Sequence, residues 1–110
     1  RGLGDVYKRQ VCCIALTPET RSIVSKEIFG RLHDGVIFVN VARGALADEA
    51  ALTKWLQSGG CAVLDVFEEE PLPESSPLWD MENVVLTPHN SFVGEGNRAR
   101  LWETIKENLK

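Results

Sequence analysis

The chain has 110 residues, 44% of them apolar and 25% charged, with a formal net charge of −4. That length suits one small domain, the composition an ordinary globular chain, and the acidic balance argues against nucleic acid and anionic membrane partners. No apolar run approaches the roughly 18 residues of a membrane span, no secretory signal opens the sequence, and the expected location is cytoplasmic.

Arg1 to Gln10 (RGLGDVYKRQ) is polar and basic. Gly2 and Gly4 form a G-x-G, but no third glycine follows and no strand precedes, so a phosphate-binding loop is not expected. Residues 1–10 are set apart from 11–110 as a frayed start, or one foreign to the native gene, the chain then being an internal fragment. Val11 to Leu16 (VCCIAL) is the first predicted strand. Cys12 and Cys13 point to opposite faces and, with the distant Cys61, give no CxxC spacing. All three are expected to be buried small apolar residues, and no metal site is expected. Pro18 breaks the strand, and Ile23 and Val24 are expected beneath the sheet. Ser25 can cap a short helix, Lys26 to Leu32, with Ile28, Phe29 and Leu32 inward.

Asp34-Gly35 turns the chain into Val36 to Val41, a β-branched run expected as a central strand buried on both faces. It stops at Ala42, Arg43 and Gly44. Asp48 then caps a helix whose first turn carries Glu49. Leu52, Trp55 and Leu56 form its apolar stripe, with Trp55 in the core, and Gly59-Gly60 ends it. A third strand spans 62–67 within CAVLDVF. Its Asp65 is costly unless paired or placed at the strand end. Glu68 to Glu70 and Pro71 leave the sheet for an extended proline-rich loop anchored by Leu78 and Trp79. A last strand, Val84 to Leu86, ends in Thr87-Pro88-His89. The final segment is helical, with Leu101, Ile105 and Leu109 spaced by four and Trp102 alongside; it is expected to dock on the sheet or on another domain.

Short strands alternating with helices predict an α/β fold, a partial Rossmann-like, mostly parallel sheet flanked by helices. Such a sheet leaves an open edge that invites pairing or dimerisation. Arg43, Glu70 and His89 then fall at successive strand ends, with Asp65 just inside the third. In open α/β sheets these ends face one crevice. An arginine can hold a carboxylate through two parallel hydrogen bonds, and a histidine can exchange the proton of a hydroxyl. A neighbouring carboxylate fixes the imidazole tautomer. Together the parts suit a small 2-oxo or 2-hydroxy acid. The other reading keeps them separate: a surface salt bridge, a solvated acidic run and a turn residue.

Four stretches, LTPET at 16–20, VNVARGALADEAAL at 39–52, LDVFEEEPLP at 64–73 and NVVLTPHNS at 83–91, resemble in order the D-isomer-specific 2-hydroxyacid dehydrogenase family, in the C-terminal half of its NAD-binding domain. The resemblance runs from about Ile14 to Lys110. It implies an NAD-dependent oxidoreductase of D-2-hydroxy acids, in a homodimeric parent. It implies Arg43 as the substrate-binding arginine, His89 as the general acid/base and Glu70 as its partner. It implies Asp65 as a contact of the nicotinamide carboxamide, with Ile14, Val41, Ala42, Arg43 and His89 bordering the cofactor.

The family's glycine-rich loop, its ribose-binding acid and its substrate domain do not match anything here, so the isolated chain is expected to be inactive. Which acid is reduced stays open among hydroxypyruvate, glyoxylate, phosphoglycerate and longer 2-oxo acids. Two alternatives stand beside the enzyme: an NAD-binding interaction protein of the corepressor kind, and a degenerate module that has lost its chemistry. Between Ser58 and Asp65 the family runs about two residues longer, a difference that keeps side-chain parity along a strand. Either Asp65 is drawn out of place, or the loss is confined to the loop before Ala62.

Overall fold

The computed structural model describes residues 8–91 and 93–109; the Gly2-x-Gly4 segment lies outside the described residues. Four short strands form one parallel sheet in chain order: β1 (Arg9–Cys12), β2 (Ile37–Asn40), β3 (Cys61–Leu64) and β4 (Val84–Leu86). Parallel neighbours require crossover connections. Helix α1 (Lys26–Arg31) lies in the first, helix α2 (Glu49–Gln57) in the second, and a 3-10 turn at Pro77–Asp80 in the third. The α/β class and the parallel sheet are as expected.

The register divides the sheet into two faces. Phe38 and Ala62 pair across one face, as do Asn40 and Leu64, and all four are buried. Here α1 and α2 pack: Phe29 meets Phe38 edge-on at 5.3 Å and stacks with Trp55 at 5.4 Å, while Leu46, Leu52 and Leu56 complete the core. Val11, Val39, Val63 and Val85 pair in one row across the other face. The outer two are about half exposed, at 48% and 56%. The central strand is thus buried on one face and only half-covered on the other, not buried on both.

Helix α2 begins as the sequence suggests. The Asp48 carboxylate accepts from the Ala51 N–H at 3.0 Å, satisfying one of the orphan donors of the first turn. Its end passes into β3 through a tight glycine turn. Gly59 takes φ 105, the Gly60 N–H bonds to the Trp55 carbonyl at 3.1 Å, and β3 starts at the next residue. A side chain at Gly60 would run into the Trp55 ring, within 2.4 Å of a Cβ. The ladder continues past β3, with the Asp65 N–H on the Asn40 carbonyl at 3.0 Å. Asp65 therefore stands at the end of the strand, one residue past the Asn40–Leu64 pair.

Several boundaries differ from expectation. The first strand is Arg9–Cys12 rather than 11–16, so the division drawn at residue 10 falls inside β1; Cys13 to Leu16 leave the sheet and stand exposed. The third strand is Cys61–Leu64, shorter than 62–67. Only Cys12 is buried: Cys13 lies past the end of β1, and Cys61 opens β3 on the outer face. Burial raises the Cys12 thiol pKa, an inert setting for it. Ile23 and Ile28 are 47% and 40% exposed, because Val24 and Phe29 take the inward positions beside them. Leu78 anchors the proline-rich loop as expected, but Trp79 is 54% exposed and held by its indole N–H on the Pro73 carbonyl at 2.9 Å.

Helix α3 (Asn97–Asn108) does not dock on the sheet. Leu101 and Trp102 are 62% and 58% exposed, and none of its described residues is buried. Its sequence, NRARLWETIKEN, intersperses charges with a narrow apolar stripe, so little apolar area would be gained by folding back.

Candidate active site

The C-terminal ends of β2, β3 and β4 bring together the residues that the sequence placed there. At the end of β2 the buried Asn40 side chain turns the chain. Its Oδ1 accepts from the Ala42 N–H at 3.1 Å and its Nδ2 donates to the Arg43 carbonyl at 3.0 Å. Arg43 follows in an extended conformation, with Nη1 donating to the Ala42 carbonyl at 2.6 Å. Gly44 then passes so close to the chain after β3 that a Cβ would sit 1.9 Å from the Phe67 carbonyl carbon. Only glycine permits this approach, which brings the Arg43 loop against the one that carries Glu70.

Glu70 is fixed from both oxygens. Oε1 accepts from the Phe67 N–H at 3.0 Å, and Oε2 lies 2.7 Å from His89 Nδ1. Burial raises the pKa of this carboxyl, but the hydrogen bonds from His89 and Phe67 and the charges of His89 and Arg43 outweigh it and leave it lowered. An ionised carboxylate only accepts, so in this contact Nδ1 carries the proton. The pair is about one-third exposed at each side chain.

Asp65 is 2% exposed and forms the hub between β3 and β4. Oδ1 accepts from the Thr87 hydroxyl at 2.5 Å and the Asn90 N–H at 2.9 Å; Oδ2 accepts from the Ser91 N–H at 2.9 Å. Burial raises its pKa, yet these donors prevail and hold it at about 2. Charge-assisted bonds from several donors stabilise a buried carboxylate in this way. The clamp brackets His89, which sits at φ 52 in the left-handed region.

Two cavities border the site. One, of about 440 Å³, is lined by Cys13, Ile14, Ala15, Leu16, Ala42 and Arg43, between the ends of β1 and β2. Val41, half-buried, donates its N–H to the Cys12 carbonyl at 3.4 Å beside this cavity. The other, of about 520 Å³, has Glu70, His89 and Trp79 among its walls, with Phe67, Leu72 and Leu86. Glu70 and His89 are in direct contact and share one cavity, while Arg43 lines the other with Ile14 and Ala42, its charge still acting on Glu70. The sequence reading missed Asn40 and Thr87. Asn40 had a signal: one amide in an otherwise apolar strand must find partners when buried. Among the described residues no cluster of three or more His, Cys, Asp or Glu side chains could hold a metal, and no helix is long and apolar enough to cross a membrane.

The chain is 42% identical over 98 residues to the glyoxylate reductase of Korarchaeum cryptofilum, covering 87% of this chain and 30% of that protein. It is 49% identical over 102 residues to glyoxylate/hydroxypyruvate reductase B of Cronobacter sakazakii, covering 90% and 32%. The chain therefore spans about a third of the length of the curated relatives it matches. Among solved structures it is similar to a D-isomer specific 2-hydroxyacid dehydrogenase from Xanthobacter autotrophicus Py2 in complex with NADPH and MES, with a TM-score of 0.77, 45% identity and coverage of 90% of this chain and 43% of that one. It is also similar to the NADPH-dependent glyoxylate/hydroxypyruvate reductase of Sinorhizobium meliloti with NADP and sulfate, with a TM-score of 0.78, 34% identity and coverage of 93% and 34%. Residues 10–91, most of the chain, match the model of the D-isomer specific 2-hydroxyacid dehydrogenase NAD-binding domain, and the chain belongs to that family.

Proposed function

We propose that this chain is the part of a D-2-hydroxyacid dehydrogenase that carries the acid/base pair, the substrate-carboxylate anchor and one wall of the nicotinamide pocket. The observation that carries the reading is the 2.7 Å contact between His89 Nδ1 and Glu70, made where the charge of Arg43 is also felt. Arg43 holds the carboxylate of a 2-oxo acid by paired N–H donors. His89 Nε2 gives a proton to the carbonyl oxygen in reduction and takes it from the hydroxyl in oxidation. Glu70 fixes the ring and stabilises the imidazolium.

The bound dinucleotide supplies or accepts the hydride. The cavity walled by Ile14, Leu16 and Ala42, with Arg43 at its mouth, fits a planar ring packed against apolar side chains. Asp65, which the family likeness assigns to the carboxamide, is buried at the end of β3 and bonded to Thr87, Asn90 and Ser91. The proposed cofactor is NAD, and NADP is assayed beside it because two similar structures hold NADPH or NADP. Glyoxylate and hydroxypyruvate are the first substrates to test, from the names of the relatives. A homodimeric, cytoplasmic enzyme completes the reading.

The test is steady-state reduction of a 2-oxo acid panel by the complete protein that carries this chain, with NADH and NADPH. Arg43→Ala should chiefly raise KM for the acid, and His89→Ala should chiefly lower kcat, by about 10²-fold or more. Equal, small changes from both would sink the assignment of roles. The 110 residues alone are expected not to turn over. A dinucleotide needs a pyrophosphate cradle, and a substrate needs closure from water. Micromolar NADH binding with turnover by the isolated chain would overturn that expectation.

A further inference from the structure

We infer that Asn40 is a positioning residue for Arg43: its side chain sets the backbone from which the guanidinium reaches the substrate carboxylate, and so tunes acid binding without touching the acid. This rests on the proposed role of Arg43. Asn40 is 1% exposed, the last residue of a central strand, and its amide is used from both ends. Oδ1 takes the Ala42 N–H and Nδ2 gives to the Arg43 carbonyl, closing two rings over the three residues that leave the sheet. The partners fix the amide orientation, since an N–H and a carbonyl cannot exchange roles. Its own carbonyl accepts the Asp65 N–H, so one residue ties the Arg43 loop to the hub of the His89 loop.

No apolar residue of similar size can replace it. Leu or Val at 40 would leave the Ala42 N–H and the Arg43 carbonyl without the partners that hold them. Arg43 itself is exposed, and its Nη1 donates to the neighbouring Ala42 carbonyl. Its aim is therefore governed by the backbone beneath it, and that backbone is held by Asn40 and by the close passage of Gly44.

The decisive variants are Asn40→Ala, which removes both bonds, and Asn40→Asp, which keeps the volume and the acceptor but loses the donor. In the complete enzyme, both should raise KM for glyoxylate about tenfold or more, with KM for the nicotinamide cofactor within about twofold and kcat less affected. In an Arg43→Ala background Asn40→Ala should add less than about twofold, because its effect is routed through the side chain already removed. The defect of Asn40→Asp should shrink relative to wild type as pH falls from about 8 to about 5, since a buried carboxyl that protonates regains a donor.

Parallel losses in both KM values and kcat, or effects that multiply with Arg43→Ala, overturn the inference. A second measurement separates it from the proposed function. In the 110-residue chain, Asn40→Asp should move the amide resonances of Ala42, Arg43 and Gly44 and leave those of α2 in place. Unmoved Arg43 signals overturn the positioning role whatever the enzyme does. A wild-type enzyme inert toward every 2-oxo acid, with those signals moved, overturns the proposed function while the positioning role stands. If Asn40→Ala does not fold, the volume-conserving Asn40→Asp decides both arms.

Discussion

The two faces of the sheet differ more than their sequences do. Each strand alternates apolar residues, yet the face of Phe38, Ala62 and Leu64 is closed by α1 and α2, while the valine row opposite keeps its outer members half exposed. The site residues are held from the closed side: Asn40, Gly44 and Leu64 share one tight pocket with Phe67 and Leu78. A parallel sheet is normally covered on both faces. Stability and site geometry are therefore expected to depend on the closed face and to respond little to the open one.

The strongest test of that asymmetry is Gly44→Ala. The new methyl would collide with the Phe67 and Glu68 backbone, so the loss should exceed about 4 kcal/mol or abolish folding, read by urea denaturation. Phe38→Ala removes a ring that is 1% exposed and should cost about 3–5 kcal/mol. Acid comes next. The Asp65 pKa is depressed from 3.8 to about 2, so its contribution is full above the unfolded value and lost as pH falls from about 4 to about 2. Asp65→Asn should flatten that limb of the stability–pH curve, and an unchanged limb would refute the assignment. Asp48→Ala removes the cap of α2 and should cost about 1 kcal/mol. Val85→Thr on the open face should shift stability by less than about 0.5 kcal/mol. A loss above about 2 kcal/mol there would show that the open face matters as much as the closed one.

The alternation of strands and helices was legible because β-branched runs and glycine stops recur in order, and the strand-end positions of Glu70 and His89 foreshadowed their contact. Strand ends were overdrawn for one physical reason. In VCCIAL and CAVLDVF the apolar run continues past the last ladder pair: Val66 and Phe67 join the buried interior, while Ile14 and Leu16 stay largely exposed at the wall of a cavity. Apolarity does not report where ladder hydrogen bonding stops. The partners of Asp65 were not legible, since they are mostly backbone N–H groups twenty-five and twenty-six residues away, at Asn90 and Ser91. The placement of α3 was not legible either: its stripe has the helical period but too little width to specify a dock.

His89 occupies a backbone conformation, φ 52, that L-residues other than asparagine, aspartate and histidine seldom adopt. Glycine would fit there with less strain, but it has no ring to place against Glu70. The position thus sets the comfort of the main chain against the need for an imidazole. If His89 has the proposed role, a lineage released from proton transfer should drift at this site toward glycine or asparagine.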